Sequence, residues 1–274
     1  MNHQRVNMTM MQSKLAVQRV RHPIVVRTIT VKAKEQLAQN YVRFYFTSPE
    51  LAGFVSSSFD DHIKLFFPLS GKAVQKPQMT EQGLKFPDPA NKPVARDYTP
   101  RAFDAERLVL EVDFVLHEDG PAGSWALQAE VGDQLVMAGP RGSMVIPEEY
   151  DWHLLIGDET ALPAMTRRIA ELPASKTVLA VLETDDPQLQ HQLPVRDGLR
   201  TYYVQRQANQ PLQLAQKVQQ LVLPEGLGFA WAAAESAVAK AVRAELVEKG
   251  LENTQIRASS YWRQGDAGVH ETLS

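Results

Sequence analysis

Arg96-Asp-Tyr98-Thr99-Pro-Arg101 puts a cation, an aromatic ring and a hydroxyl on one short run with strand-like patterning. Such a set can pair with a phosphate, lay a ring against a flat heterocycle and hydrogen-bond its polar edge. The run His117-Glu-Asp-Gly120-Pro121-Ala122-Gly123-Ser124-Trp125-Ala126 reads as a glycine-containing turn leading into a helix, predicted from Ser124 to Ala129. Free N–H groups and the positive dipole end of a helix suit a pyrophosphate, and glycine lets the backbone approach it. Ser124 is the expected cap of that helix. Asp113 and His117 stand on and just after the preceding predicted strand, and Gly139-Pro-Arg141-Gly142 closes the series. From Arg96 to Gly142 the residues together read as a flavin site.

A second constellation is Gly157-Asp158-Glu159-Thr160-Ala-Leu-Pro163-Ala, which follows a predicted strand and opens a helix. An open α/β sheet takes dinucleotides at such a place. The loop lacks G-x-G-x-x-G. Thr160 is positioned to cap the helix and to approach the flavin or a nicotinamide, while Pro163 stiffens the first turn. Glu183 lies roughly 26 residues beyond Gly157, where an acidic side chain meets a ribose 2′-OH and favours NADH. Arg200 and Arg206 are close enough in sequence to offer a 2′-phosphate partner, so NADPH stays open. Asp158, Glu159, Glu183 and Glu235 are the candidate nicotinamide residues.

Short runs that alternate β-branched or aromatic with polar residues must position the first constellation: 24–32, 41–47, 62–67, 107–115 and 134–138. Their period predicts antiparallel strands closing into a small barrel of about six strands, which removes exposed edges. Between Leu69 and Ala95 the composition shifts to Pro, Lys, Gln and Gly, which predicts a long surface loop. From Trp152 the rhythm becomes strand and helix in alternation, so a parallel sheet covered by helices must position the second constellation. The expected organisation is a flexible N-terminal arm over 1–23, a flavin-binding β-barrel over 24–147 and an α/β domain over 148–274.

Composition bounds the chemistry. The 274 residues hold no cysteine, which excludes disulfides, thiolate metal sites, cysteine-ligated iron–sulfur clusters and a cysteine nucleophile. Redox work must therefore use a bound cofactor. No apolar run approaches the ~20 residues of a membrane span, and the polar, basic start has no signal-peptide core. A cytoplasmic protein without stable membrane insertion is expected. A net charge of −3 argues against bulk nucleic-acid binding. His62 and His117 have no H-x-x-x-H or carboxylate partners in sequence, so no protein-ligated metal is expected.

The ordered series R-x-Y-T-P-R, H-x-x-G-P-x-x-x-W-A, G-P-R-G, G-D-E-T-A-L-P-A and Y-W-R-x-G resembles the siderophore-interacting proteins, a family of FAD-dependent ferric-siderophore reductases related to the ferredoxin-NADP reductase superfamily. The resemblance covers about residues 24–266. It implies a six-stranded antiparallel flavin-binding β-barrel followed by an α/β parallel-sheet, nicotinamide-binding-like domain. It implies Arg96 for the flavin pyrophosphate, Tyr98 for the isoalloxazine face and Thr99 for the ring or ribityl chain, and it assigns His117 and Pro121 through Trp125 to the FAD phosphates and adenosine. It further implies a basic triad, Lys64, Arg141 and Arg263, around an anionic ferric siderophore. Ala234-Glu235-Ser236 departs from the family's A-G-E by losing a glycine.

On this resemblance NADH, NADPH or reduced ferredoxin loads FAD, which passes single electrons to Fe(III)-siderophore and releases Fe(II). A monomer is expected, with ferredoxin as a second partner. Two alternatives stay open at this level: a ferredoxin-NADP or free-flavin reductase, and a non-catalytic ferric-siderophore-binding protein.

Overall fold

The computed structural model describes residues 15–69, 72, 74–81, 83–116, 120–265 and 271–273. These residues group into two compact units, one holding 20–143 and the other holding 144 onward together with the described residues up to 19.

In the first unit the strands are β1 (Gln18–Arg21, which straddles the boundary), β2 (Val26–Ala38), β3 (Tyr41–Thr47), β4 (Ile63–Phe67), β5 (Gln78–Thr80), β6 (Gly83–Lys85), β7 (Val94–Tyr98), β8 (Ala102–Asp104), β9 (Val109–Val115) and β10 (Gln134–Ala138). Helix α1 (Pro121–Gln128) lies between β9 and β10. Seven strands form one antiparallel sheet in the order β7-β4-β10-β2-β3-β9-β8. The expected antiparallel barrel-type sheet is present with a seventh short strand, but among the described residues no ladder joins β7 to β8, so the expected closure is replaced by a half-barrel. Alternate residues such as Ile29 and Val31, Phe44 and Phe46, Leu65 and Phe67, and Val112 and Phe114 point into a single core that α1 closes with Ala122, Ala126 and Trp125.

The opposite face of β4 and β10 explains a difference from the sequence reading. Phe66 and Val136 would lie bare there, and Phe86 covers them, with Val74 and Leu84 packed alongside. Burying a phenylalanine stabilises by about 1.5–3 kcal/mol, enough to hold a polar segment against the sheet. The stretch between Leu69 and Ala95 is therefore not a plain loop. It carries the β5–β6 hairpin and a short 3-10 turn at Pro89–Asn91.

Strand β11 (Gly142–Val145) pairs with β1 in a separate two-stranded sheet. The second unit then runs β12 (Trp152–Asp158), α2 (Leu162–Glu171), β13 (Thr177–Thr184), β14 (Leu199–Gln205), α3 (Gln213–Gln220), β15 (Gly228–Glu235), α4 (Ser236–Glu248), β16 (Ile256–Trp262) and β17 (Glu271–Leu273). Its sheet order is β14-β13-β12-β15-β16-β17, parallel except for β17. The residues around Leu189–Gln192 form only a 3-10 turn, Pro187–Gln192, so no α-helix crosses from β13 to β14. No described helix is long and apolar enough to cross a membrane.

Candidate functional site

The first constellation lies in the first unit. Strand β7 presents Arg96 opposite Leu65 and Tyr98 opposite Ile63. The Tyr98 ring sits 4.3 Å from that of Phe114 and 6.0 Å from Phe67, and burial pushes its phenol well above the usual range. The hydroxyl stays neutral, so Tyr98 is a flat apolar surface with a donor at its tip. Thr99 is buried at the strand's end. Arg96 donates to the Ala95 carbonyl at 2.8 Å.

Asp113, on β9, is buried, and its carboxylate is already engaged. Arg43 donates to both oxygens at 2.6 and 2.9 Å, and the Tyr41 hydroxyl donates at 3.1 Å. Arg101, the last residue of the R-x-Y-T-P-R run, stands 3.7 Å from the same carboxylate and pairs with Glu111 at 2.5 Å. Asp113 thus meets the end of the run at Arg101 rather than offering a free carboxylate to a ligand. Arg43 and Arg101 were not singled out in the sequence, although Arg101 stands inside the quoted motif.

Helix α1 begins at Pro121, three residues before the position read from sequence. Its N-cap is Gly120, with φ 106° and ψ 159° and no side-chain cap, so Ser124 lies inside the helix instead of capping it. Proline fits the first helical position because its missing N–H has no partner to lose there, which moves the start upstream. The Ala122 and Gly123 N–H groups fall in the first turn, whose donors lack an intrahelical partner. Trp125 packs into the core, its ring 5.3 Å from Phe44 and 5.9 Å from Phe114. His117 lies outside the described residues. An uncapped helix start, a glycine in a conformation other residues avoid and a partly buried tyrosine face in one unit fit the phosphate and ring ends of a flavin dinucleotide.

The expected substrate cations differ in their surroundings. Lys64, on β4, is paired with Asp97 at 2.7 Å. Arg141 is exposed, and its side chain has no partner among the described residues. It rides on the turn after β10, whose base is tied down by two buried residues, Ser143 and Asp61, that the sequence reading missed. The Ser143 hydroxyl donates to Asp61 at 2.7 Å and meets the His22 ring nitrogen at 2.8 Å. In the second unit, Arg263 stands 3.8 Å from Glu271.

The second constellation is built at the carboxyl ends of β12, β13 and β14. Gly157 is required by close approach: a Cβ there would come within 2.3 Å of the Ala161 side chain and 2.7 Å of the Ala233 carbonyl. Asp158 is buried and accepts the Thr160 backbone N–H at 2.9 Å, the Thr160 hydroxyl at 2.5 Å and the Trp262 indole N–H at 2.8 Å. Thr160 is therefore a donor to Asp158 and not the helix cap, which is Ala161 without a side-chain bond.

Arg206 grips Glu159 through two bonds of 2.5 Å and stands 3.6 Å from Glu183. Burial pushes both carboxyls up, Arg206 opposes the rise and Asp158 adds to it. Arg206, offered from sequence as a 2′-phosphate partner, is held by the acids around it. Glu235 folds back over its own helix, accepting from Ala237 N at 2.6 Å and Val238 N at 3.3 Å. Its carboxylate occupies the N-terminus of α4.

Comparison with known proteins covers both units. Residues 30–144 match the family model of the siderophore-interacting FAD-binding domain, and residues 150–265 match that of the siderophore-interacting protein. The chain is 34% identical over 248 residues to the NADPH-dependent ferric-chelate reductase of Escherichia coli (strain K12), spanning 89% of this chain and 96% of that protein. It is 33% identical over 253 residues to the ferric vibriobactin reductase ViuB of Vibrio cholerae, spanning 89% and 93% of the two chains. The crystal structure of a siderophore utilization protein from T. fusca superposes with a TM-score of 0.84 at 33% identity, over 92% of this chain and 98% of that one.

Proposed function

The chain belongs to the siderophore-interacting protein family, and from that premise we propose that it is an FAD-dependent ferric-siderophore reductase. It takes electrons from NAD(P)H and reduces an Fe(III)-siderophore to release Fe(II) for iron assimilation. The observation that carries this reading is the uncapped start of α1 in the same unit as the Tyr98 face, within the segment matched to the FAD-binding domain. Bound FAD supplies the exchange between a two-electron donor and a one-electron acceptor.

The chain's own residues position and screen. Arg96 and the Ala122 and Gly123 N–H groups take the phosphates, with Pro121 and Ser124 shaping the turn. Tyr98 lies along the ring and Thr99 bonds its edge, while Trp125 braces these groups from the core and Asp113 holds Arg101 at the end of the run. Lys64 and Arg141, and in the other unit Arg263, supply positive charge for an anionic ferric chelate and raise its encounter rate. Asp158 and Thr160 fix the loop that approaches the nicotinamide. Glu159 and Glu183 lie toward its ribose, and Glu235 displaces phosphate from α4. Reduction weakens the chelate because Fe(II) is a softer, less tightly held ion for oxygen donors. A nicotinamide donor places the reaction in the cytoplasm, with reduced ferredoxin as the alternative donor and a monomer as the working form.

The test is anaerobic turnover of the purified flavoprotein with NADH, NADPH or reduced ferredoxin, trapping Fe(II) with a chromogenic chelator. Saturable reduction of a ferric siderophore is expected. Saturable reduction of free flavin with none of any ferric chelate would leave a flavin reductase in its place.

A further inference from the structure

Lys64 and Arg141 come from strands that are neighbours: Lys64 faces Ala138 across β4 and β10, and three residues later the chain presents Arg141. Register alone does not fix Arg141, because it lies past the end of β10 on a turn. Two contacts hold that turn. The His22 backbone N–H donates to the Arg141 carbonyl at 3.0 Å, and a Cβ on Gly142 would sit 2.6 Å from the Val20 carbonyl. The third contact is deeper. Ser143 Oγ, 4% exposed, donates to Asp61 Oδ2 at 2.7 Å and accepts the Ser57 backbone N–H at 3.2 Å.

Asp61, 2% exposed, also accepts the Ser56 hydroxyl at 2.8 Å and the Ser58 N–H at 3.1 Å through the same oxygen. It stands three residues before Lys64, and Ser143 stands two after Arg141. Beyond the β4–β10 ladder, a buried side-chain hydrogen bond therefore joins the base of one cation-bearing segment to the base of the other.

We propose that Asp61 and Ser143 are a positioning pair that sets the separation of the Lys64 and Arg141 charges for a polyanionic ferric chelate. The inference rests on the proposed reductase function and extends it to residues that touch no substrate. Two charges at a fixed spacing bind a rigid polyanion without first losing the conformational freedom of a mobile turn. An uncharged chelate has nothing to gain from that spacing. The pair thus acts on substrate choice rather than on loading the flavin.

The test uses the whole flavoprotein and Ser143→Ala, with Ser143→Thr restoring a hydroxyl. The probes are ferric tris-catecholate, which carries three negative charges, ferric trihydroxamate, which is uncharged, and the redox-inert gallium tris-catecholate. Expected for Ser143→Ala is roughly a three- to tenfold rise in KM for the catecholate and a matching loss of gallium-complex affinity, the equivalent of about 0.6–1.4 kcal/mol. The trihydroxamate KM and the rate of flavin reduction by the donor stay near wild type.

In an Arg141→Ala background the same change adds nothing further. An equal effect in both backgrounds, or equal losses for both chelates, would make Ser143 merely a stabilising residue and overturn the proposal. Wild-type protein that binds the gallium complex but reduces no ferric chelate refutes the reductase function while leaving the pair measurable by binding. Failure to bind the gallium complex refutes the pair as well.

Discussion

Lys64 and Asp97 stand opposite one another across β4 and β7, and their side chains meet at 2.7 Å. The cation assigned to substrate is thus partly neutralised by the middle residue of R-x-Y. Half-exposed pairs of this kind are worth about 0.2–1 kcal/mol, because water screens them and ordering two side chains opposes them. Asp97→Asn is expected to lower KM for an anionic ferric chelate by roughly 1.5- to 5-fold, the equivalent of that energy. Steady-state kinetics at low salt measure it, and the gain shrinks as salt is added.

Asp113 compensates Arg43 inside the barrel unit and stands close to Arg101. Removing one partner of a buried pair strands the other, at a cost of about 3–5 kcal/mol. Asp113→Asn should therefore lower the unfolding midpoint strongly and weaken FAD retention, because Arg101 ends the segment that carries Tyr98. Thermal unfolding and flavin dialysis check the two effects together. Retention of both would show that Asp113 does not brace the site.

Gly120 opens α1 with φ 106° and ψ 159°, a region essentially closed to residues with a Cβ. Gly120→Ala is expected to cost about 1–3 kcal/mol in the geometry of the turn. The loss should appear as weaker FAD affinity, measured by flavin fluorescence on dilution.

Local signals made most of the fold legible and left the supports of the site hidden. The alternation in Tyr41–Thr47 and Gln134–Ala138 read both strands to the residue, because one face of each packs in the core. The start of α1 was misplaced because Ser124 looked like a cap while Pro121 already fitted the first turn. Phe86 gave no periodic signal, since a single ring covering Phe66 is a tertiary event. The Asp61–Ser143 bond joins residues 82 apart, and the Asp113–Arg43 pair residues 70 apart. Separations of that size leave no local pattern. Glu159 and Arg206 were each noticed, but their pairing, which decides whether the arginine is available, follows only from the ends of β12 and β14, which β13 separates in the sheet.

That pairing gives a donor prediction. With Arg206 held by Glu159 and Glu183, a 2′-phosphate meets excess negative charge. Glu159→Gln should shift the kcat/KM ratio toward NADPH relative to NADH by roughly tenfold, about 1.4 kcal/mol. Binding of 2′,5′-ADP, followed by calorimetry, should strengthen in parallel. An unchanged ratio would remove Arg206 from donor recognition.

His153 is buried, and burial, helped by Arg168 and Lys176 and opposed by a backbone bond at Glu148, lowers its pKa from 6.5 to about 3. Between those values the unfolded chain binds a proton that the folded chain refuses, so stability falls as pH drops below 6.5. At pH 5 the loss is roughly 2 kcal/mol. Denaturant titrations at pH 7.5 and 5 measure it, and His153→Gln should remove that share of the slope.

The central claim is that the flavin delivers electrons to chelated iron. The direct measurement is anaerobic stopped-flow: flavin reduced by NAD(P)H is mixed with a ferric siderophore, and flavin absorbance and Fe(II) are followed together. The account predicts saturable reoxidation with about two Fe(II) formed per flavin, since the flavin holds two electrons and each ferric ion takes one. Reduced flavin that persists in the presence of excess ferric siderophore, and reoxidises only when oxygen is admitted, would contradict it.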